Sequence, residues 1–530
     1  MKDALDFREM SRRDRTQLVQ LTAADLTRLP EPLSSPTHDD AVTSPTCDCE
    51  CRSAWALDDA LALELPQPGT PEQEEALVAT FLAGLHNLFS REDNPVSLPR
   101  LLSTIEHCAR CQTCANACHI FEASGRQEPY RPAFRSEVLR RLYFKYMKKS
   151  AFASKWRHGD IELNWPLVAR LAELSYRCNL CGRCAQSCPL GADNGLVVRE
   201  LRRLFSQQLG IAPKAADVVG RTQHVSASSA AGTEVKDRIS EIELDFSDRT
   251  GVEFRFRWDV EDAELLLICD SRHLVASPES LAGLGLILTM AGVSWTMSSE
   301  LTDSSSLSSG ACHDDAEFTE LARKHVDAAR KLRVKKVLIG ECGSGHRALA
   351  LTERGLAGHS EIPHVSALTL LRDVVMAGRI KFDPLRNDFP VTLHDPCSIV
   401  RLAGLAEPQR QIARRLCPQF REMDPLGVNN YCCGGGGGLG TIQSNSFDRW
   451  RIQVAGRKKV EQILEAFSEC LGPDTPKYIC APCTQCKMQI DRLLACYGLS
   501  ARNLMLCGGL AELIVNAISD VKPGYINWER

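Results

Sequence analysis

A chain of 530 residues that is 44% hydrophobic and 25% charged has room for about three domains with cores of their own, and is neither collagen-like nor wholly disordered. Lys+Arg 63 against Asp+Glu 67 leaves a formal net charge of −4, so no basic field draws in a nucleic-acid backbone. The longest apolar runs, such as residues 281–292, are too short to cross a bilayer, and the N-terminus lacks a secretory apolar region. A cytoplasmic chain able to dock on a membrane partner is expected.

Residues 1–70 are rich in Pro, Ser, Thr and Asp and carry Cys47, Cys49 and Cys51 in CDCEC, which reads as a disordered arm with exposed thiols. From Pro71 to about Gly210 the stretches EQEEALVATFLAGLHNLF, EVLRRLYFKYM and LVARLAELSYR repeat apolar residues at three- and four-residue intervals and predict helices. Residues 211–250 are small, polar and weakly periodic, and read as a linker. From 251 to 530, short apolar runs alternate with helical patterns, which predicts α/β units with parallel strands. Cys269 and Cys342 end two of these runs, as Cys397 and the Cys480 region do later, so the α/β part is read as duplicated. The expected fold class is a multidomain α/β (α+β overall) chain: a helical domain followed by a duplicated α/β domain.

The count of 24 cysteines exceeds what packing needs, and in a reducing compartment clustered thiols read first as metal ligands. HCARCQTCANACH places Cys108, Cys111, Cys114 and Cys118 in a C-x2-C-x2-C-x3-C run, and YRCNLCGRCAQSCP places Cys178, Cys181, Cys184 and Cys188 in the same spacing. That is the two-cluster ferredoxin pattern, in which the fourth cysteine of each run crosses to the other cluster. Cys108, Cys111, Cys114 and Cys188 are thus expected on one cubane [4Fe-4S] cluster, and Cys178, Cys181, Cys184 and Cys118 on the other. Structural zinc uses two separated CxxC pairs and gives no reason for a third and fourth cysteine at this rhythm. His119 stands where the pattern has Pro, and the basic, aromatic stretch of the insert between the runs is either a docking surface or a solvated helix.

Farther on come HDPCSIVRLAG with Cys397, YCCGGGGGLG with Cys432 and Cys433, and ICAPCTQCK with Cys480, Cys483 and Cys486. A vicinal cysteine pair beside glycines lets the backbone approach a bulky inorganic centre and suits a multi-iron cluster better than tetrahedral zinc. Nothing after the glycine run completes a phosphate loop, and no dinucleotide fingerprint is present.

Cys397, the Cys432-Cys433-Gly434 triplet and Cys480-x2-Cys483 resemble the CCG domain of heterodisulfide reductases, and with the twin ferredoxin runs the likeness covers about residues 75–520. The resemblance implies a noncubane [4Fe-4S] cluster on Cys397, Cys432, Cys433, Cys480 and Cys483, with Cys486 a packed helix residue or an alternative ligand. Cys269, Cys312 and Cys342 of the first half lack a CC pair and a CxxC, so one such cluster is expected. Ahead of Cys397, His394 is a candidate for proton delivery or hydrogen bonding to sulfur, and Asp395 for a helix-start cap. Cys417, Cys470, Cys496 and Cys507 are read as core thiols.

The resemblance further implies an oxidoreductase subunit on the inner face of the cell membrane, attached through a haem b partner within a membrane redox complex. It would exchange electrons with a disulfide or trisulfide on a small sulfur-carrier protein, in dissimilatory sulfur metabolism. Rival readings are the iron–sulfur subunit of a glycolate or lactate oxidase, a subunit of a transmembrane redox complex, and a relay whose CCG site holds zinc.

Overall fold

The computed structural model describes residues 60–148, 161–213, 230–268, 277–300, 312, 315–343, 345–348, 362–442, 444–500 and 504–528. Cys47, Cys49, Cys51 and Cys269 lie outside the described residues. The chain divides into two compact units, the first holding the described residues up to 213 together with Cys312 and Gly434–Lys458, the second holding the remainder.

The first unit is helical: α1 Pro71–Leu88, α2 Leu98–His107, α3 Pro132–Leu142, α4 Trp165–Ser175 and α5 Asn194–Leu209. Thr70 caps α1 by accepting from the Gln73 amide, with Pro at the first position and Glu72 and Glu74 in the first turn, where the helix dipole favours acids. Asn164 and Asp193 cap α4 and α5 in the same way, and Gly210 closes α5 in the left-handed region. Every residue of α4 is buried. Its Glu173 is compensated by Arg177 at 3.2 Å and by the Leu63 amide at 2.9 Å, so this charge is not left unpaired in the core. That bond and the burial of Ala60, Ala62 and Leu63 fix these residues, which were expected in the arm, onto the helical unit.

Gly434–Lys458 follows the Cys432–Cys433 pair in the chain yet belongs to the helical unit, so the stretch 251–530 is not one uninterrupted domain. The reason is aromatic. Trp450 stacks on Phe447 at 5.2 Å and Tyr130 at 6.0 Å and donates to the Tyr130 hydroxyl at 3.1 Å, while Lys458 pairs with Glu122 at 2.9 Å. The glycine run enters this unit under clamps: Asn179 Nδ2 donates to the Gly434 carbonyl at 2.8 Å and Arg202 Nη1 to the Gly437 carbonyl at 2.6 Å. Gly437, at φ 64°, leaves no room for a Cβ, which would sit 2.5 Å from the Asn179 carbonyl oxygen.

The second unit opens on α6, Ala230–Thr250, where a linker was expected. Its Ile239, Ile242 and Phe246 recur at helical spacing and enter the α/β core, a signal hidden by the polar residues around them. Strands β1 Leu265–Ile268, β2 Trp295–Thr296, β3 Lys336–Ile339 and β4 His364–Ser366 form a parallel sheet of order β2-β1-β3-β4. Strands β5 Val391–Leu393, β6 Phe420–Arg421, β7 Lys477–Cys480 and β8 Met505–Gly508 form a second, β6-β5-β7-β8, with the same order. Among the helices over these sheets are α7 Pro278–Met290, α8 Asp315–Lys331, α9 Ala367–Ala377, α10 Pro408–Leu416, α11 Arg457–Ala466, α12 Thr484–Cys496 and α13 Leu510–Ala517. In each sheet the order reverses between the two central strands, and the crevice beyond their carboxyl ends is where open α/β sheets hold ligands. No described helix is long and apolar enough to cross a membrane.

Trp450→Ala is expected to destabilise the helical unit by about 3–5 kcal/mol, because losing a buried stacked indole leaves a cavity and removes the indole N–H that donates to the Tyr130 hydroxyl. Equilibrium unfolding of the full chain, followed by far-ultraviolet circular dichroism, checks it.

Candidate metal centres

The two ferredoxin-like runs fold alike. Arg110 and Leu180, each two residues past the first cysteine of its run, have φ 55° and 49°. Gln112 and Gly182, two residues farther on, sit at φ 65° and 75° and start the one-turn helices Thr113–Asn116 and Arg183–Gln186. This alternating left-handed backbone turns successive cysteines towards one point. Cys114 has Cys108, Cys188 and Cys111 as its charged neighbours, and burial foremost raises its thiol to about 11. Cys118 faces Cys181 and Cys178 and is pushed up by burial to about 12; Cys184 faces Cys178, Cys181 and Cys118 and is likewise raised by burial. The structure therefore gathers Cys108, Cys111, Cys114 and Cys188 at one place and Cys178, Cys181, Cys184 and Cys118 at another.

One observation fits the Cys118 group to an anionic cluster. Arg135 on α3 is 2% exposed, its Nε and Nη1 make no hydrogen bond with any described group, and its charge acts on Cys118. A guanidinium buried in that way is costly unless an anion lies against it, and a four-thiolate cluster on the Cys118 set supplies one. His119, in place of a proline, is buried and bonded through Nε2 to Asn179 Oδ1 at 3.1 Å, joining the two runs.

In the second unit the carboxyl ends of β5 and β7 frame the other site. The turn after β5 carries His394, Asp395 and Cys397; the turn after β7 leads to Cys483, the residue that starts α12, and to Cys486 one turn on. Cys486 Sγ lies 3.5 Å from Cys433 Sγ. Hydrogen bonding to Cys433 and then to Cys483, together with burial, holds the Cys486 thiol well above its usual range. Cys397 is raised by its bond to Cys432 and by burial. Five buried sulfurs thus form two contact groups, Cys397 with Cys432 and Cys486 with Cys433 and Cys483, and the adjacent Cys432 and Cys433 join the groups through the chain.

Cys480 is not among them. As the last residue of β7 it points, like Tyr478 two residues earlier, into the apolar core, where burial raises its thiol beside Glu341 and Cys417. The expectation of Cys480 with Cys483 is therefore corrected to Cys483 with Cys486: CAPC and CTQC have the same spacing, but the first begins inside a strand and the second lies on the loop and helix start. Asp395 is no cap. It is buried, accepts from Arg410 Nη1 at 2.7 Å and from the Gly427 amide at 2.6 Å, and so ties the cysteine turn to α10. Cys417 and Cys507 are buried and Cys470 and Cys496 half-buried, and Cys312 packs beside Cys178, Leu180 and Val198 in the helical unit.

The first sheet contributes through the turn after β3. Gly343 donates its amide to Cys483 Sγ at 3.3 Å, and a Cβ on it would sit 2.8 Å from that sulfur, so this position needs glycine. Cys342 instead accepts from the Gly345 amide at 3.2 Å within its own turn. Arg347 and Arg401 act on Cys397 as positive charges. Lys459 is fully buried, bonded to Asn430 Oδ1 at 2.8 Å and to Gln462 Oε1, with Met423 Sδ at 3.6 Å, and burial depresses its ammonium to about 7. Cys433, Cys432 and Cys486 are among the groups that favour its charge. An all-sulfur donor set ringed by cations fits an anionic iron–sulfur cluster. Motif reading missed Arg135, Gly343, Arg347 and Lys459; of these only Gly343, in GECGSGH, stood in a stretch whose glycines hinted at close backbone approach.

Comparison with known proteins agrees with this geometry. Residues 104–192 match the 4Fe-4S dicluster domain, which implies two clusters, and residues 391–491 match the CCG cysteine-rich domain. The chain is 26% identical to an Hdr-like menaquinol oxidoreductase iron–sulfur subunit 2 of Archaeoglobus fulgidus, over 63% of this chain and 67% of the relative. It is also 26% identical to a dihydromethanophenazine:CoB–CoM heterodisulfide reductase subunit of Methanosarcina acetivorans, over 64% of this chain and 80% of the relative. A probable membrane-anchored ferredoxin of Chromohalobacter salexigens is 28% identical over 58% of this chain and 46% of its own length. No solved structure gives a significant match. The chain is a heterodisulfide reductase-like iron–sulfur protein, with a dicluster domain ahead of a CCG domain. It is homologous to oxidoreductases. A single CCG domain is matched, in the half that carries the vicinal cysteines.

Cys486→Ser is expected to remove about four irons from the anaerobically purified chain, whereas Cys480→Ser leaves the iron content unchanged. Iron analysis of the two variants beside wild type checks it.

Proposed function

We propose that the chain is the electron-transferring, disulfide-active subunit of a membrane redox complex. In this reading Cys108, Cys111, Cys114 and Cys188 hold one cubane [4Fe-4S] cluster, and Cys178, Cys181, Cys184 and Cys118 the other. Cys397, Cys432, Cys433, Cys483 and Cys486 hold a noncubane four-iron cluster. The observation that carries it is the sulfur chamber itself: Cys433 and Cys486 at 3.5 Å, buried beside Lys459 and closed by the amide of Gly343. The equal strand order of the two sheets supports a duplicated α/β domain in which the first half has kept a glycine-lined turn and lost the ligands.

Cleaving R–S–S–R′ to two thiols consumes two electrons and two protons, while the membrane side delivers electrons singly. A cluster with an accessible iron supplies a place for one cleaved sulfur between the two electron steps. Lys459, Arg347 and Arg401 surround the sulfurs with positive charge that favours the anionic products, and His394 stands where it can donate a hydrogen bond. The partner is a haem b subunit exchanging electrons with quinone, and the chain attaches through it to the inner face of the membrane. The names of the relatives, a menaquinol oxidoreductase subunit and a membrane-anchored ferredoxin, support this side of the reading.

The substrate is a disulfide or trisulfide on a small sulfur-carrier protein in dissimilatory sulfur metabolism. The phrases KKVLIGECGSGHRAL, HDPCSIVRLAG and YCCGGGGGLG favour the K subunit of the membrane complex associated with dissimilatory sulfite reduction. Electron paramagnetic resonance on the anaerobic protein tests the function. Oxidation in the presence of a small thiol is expected to raise a paramagnetic signal that is absent without thiol and absent from Cys397→Ser, whose cubane signals persist. A signal independent of thiol, or no signal, would reduce the chain to an electron relay.

A further inference from the structure

His394 is fully buried and sits at the sulfur chamber: one of its ring nitrogens and the Sγ atoms of Cys433 and Cys486 all lie within 4.8 Å of one another. A nitrogen and two sulfurs that close would by themselves suggest a metal ligand. The surroundings of the ring decide otherwise.

Asn430, itself buried, can stand in only one orientation. Its Nδ2 donates to the Asp395 carbonyl at 2.7 Å, an acceptor with no hydrogen, and its Oδ1 accepts from Lys459 Nζ at 2.8 Å. A flipped amide would set its oxygen against the Asp395 carbonyl, acceptor against acceptor. In the allowed orientation Nδ2 faces His394 Nδ1 at 3.5 Å, so Nδ1 is the bare, accepting nitrogen of a neutral imidazole. The hydrogen therefore sits on Nε2, which is buried and has no hydrogen-bond partner among the described groups. A nitrogen that carries a hydrogen has no lone pair for a metal, and a buried N–H without an acceptor is costly. The sulfurs of the chamber lie beside this ring, one ring nitrogen being within 4.8 Å of the Sγ atoms of Cys433 and Cys486.

We propose that His394 is a hydrogen-bond donor, and not a ligand, to the sulfur-rich centre at Cys433 and Cys486, its Nε2–H tautomer being set by Asn430 and Lys459. The proposal rests on the reading of this chamber as an iron–sulfur site. Asn430 and Lys459 act as positioning residues. Lys459 does so twice, since it fixes the Asn430 amide and also places a positive charge near the same sulfurs. An N–H aimed at sulfur stabilises the more reduced, more negative state of a cluster and of a thiolate leaving a disulfide. The same tautomer disfavours zinc at this place, because a histidine ligand would need Nε2 bare and Nδ1 bonded to an acceptor.

The test uses the full, anaerobically loaded chain and compares wild type with His394→Phe, His394→Gln and Asn430→Asp. Gln keeps an N–H near the position of Nε2. Asp offers Nδ1 an acceptor, which draws the hydrogen to that side and strips it from Nε2. Electron–nuclear double resonance on the paramagnetic CCG centre, before and after exchange into D2O, is expected to find an exchangeable proton in wild type and His394→Gln and none in the other two. The reduction midpoint should fall in the variants that lack the proton, with tenfold or greater loss of disulfide reduction, while iron content stays at the wild-type value. An exchangeable proton that survives in His394→Phe, or iron lost from that variant together with strong 15N coupling in wild type, would overturn the proposal.

A wild-type chain holding only the cubane irons would instead overturn the reading of the chamber. The tautomer is then read from the 15N resonances of His394, assigned by difference from His394→Phe, and a hydrogen on Nδ1 would overturn the donor role as well.

Discussion

A thiolate taken out of water without compensating charge is costly, and the architecture of this chain answers to that constraint at three places. At each, backbone geometry gathers cysteines, among them Cys114, Cys118, Cys184, Cys397 and Cys486, whose thiols burial helps to raise, and at two of the three, cations stand beside them. Arg135 lies at the Cys118 set, and Lys459 with Arg347 and Arg401 at the CCG chamber. Removing protons from such thiols requires metal, so occupancy of the sites and stability of the units are expected to be linked.

The way cysteines are gathered differs between the two units. In the helical unit, residues held at positive φ between successive cysteines curl each short loop, and the helices supply a frame capped by Thr70, Asn164 and Asp193. In the α/β unit, the strands do the positioning, and Cys397, Cys483 and Cys486 project from the crevice where the strand order reverses. At Gly437 in one unit and Gly343 in the other, glycine lets the backbone come close without a Cβ in the way, as Gly343 does at Cys483.

Much of this was legible in residue spacing. The twin C-x2-C-x2-C-x3-C runs specified the grouping of their cysteines because that rhythm is itself the geometry of the loops, and strand–helix alternation announced the parallel sheets. Three features were not legible. CAPCTQC contains two overlapping CxxC pairs, and only the end of β7 decides that Cys480 faces the core and Cys486 the chamber. The helix Ala230–Thr250 hid behind polar composition, its apolar positions too few to mark it. The segment Gly434–Lys458 lies between cysteine groups read as parts of one domain, whereas its Phe447 and Trp450 bury themselves in the helical unit. Long-range partners such as Asn430 with Lys459, or Asp395 with Arg410, have no local signature, and for Asp395 the sequence offers only a local role, the helix-start cap.

The central claim is that the buried sulfur chamber of the α/β unit holds a third iron–sulfur centre. Iron and zinc analysis of the anaerobically purified full chain, paired with Mössbauer spectroscopy, tests it most directly. The account predicts about twelve irons per chain and no stoichiometric zinc. About eight irons, with zinc bound in the chamber, would contradict it.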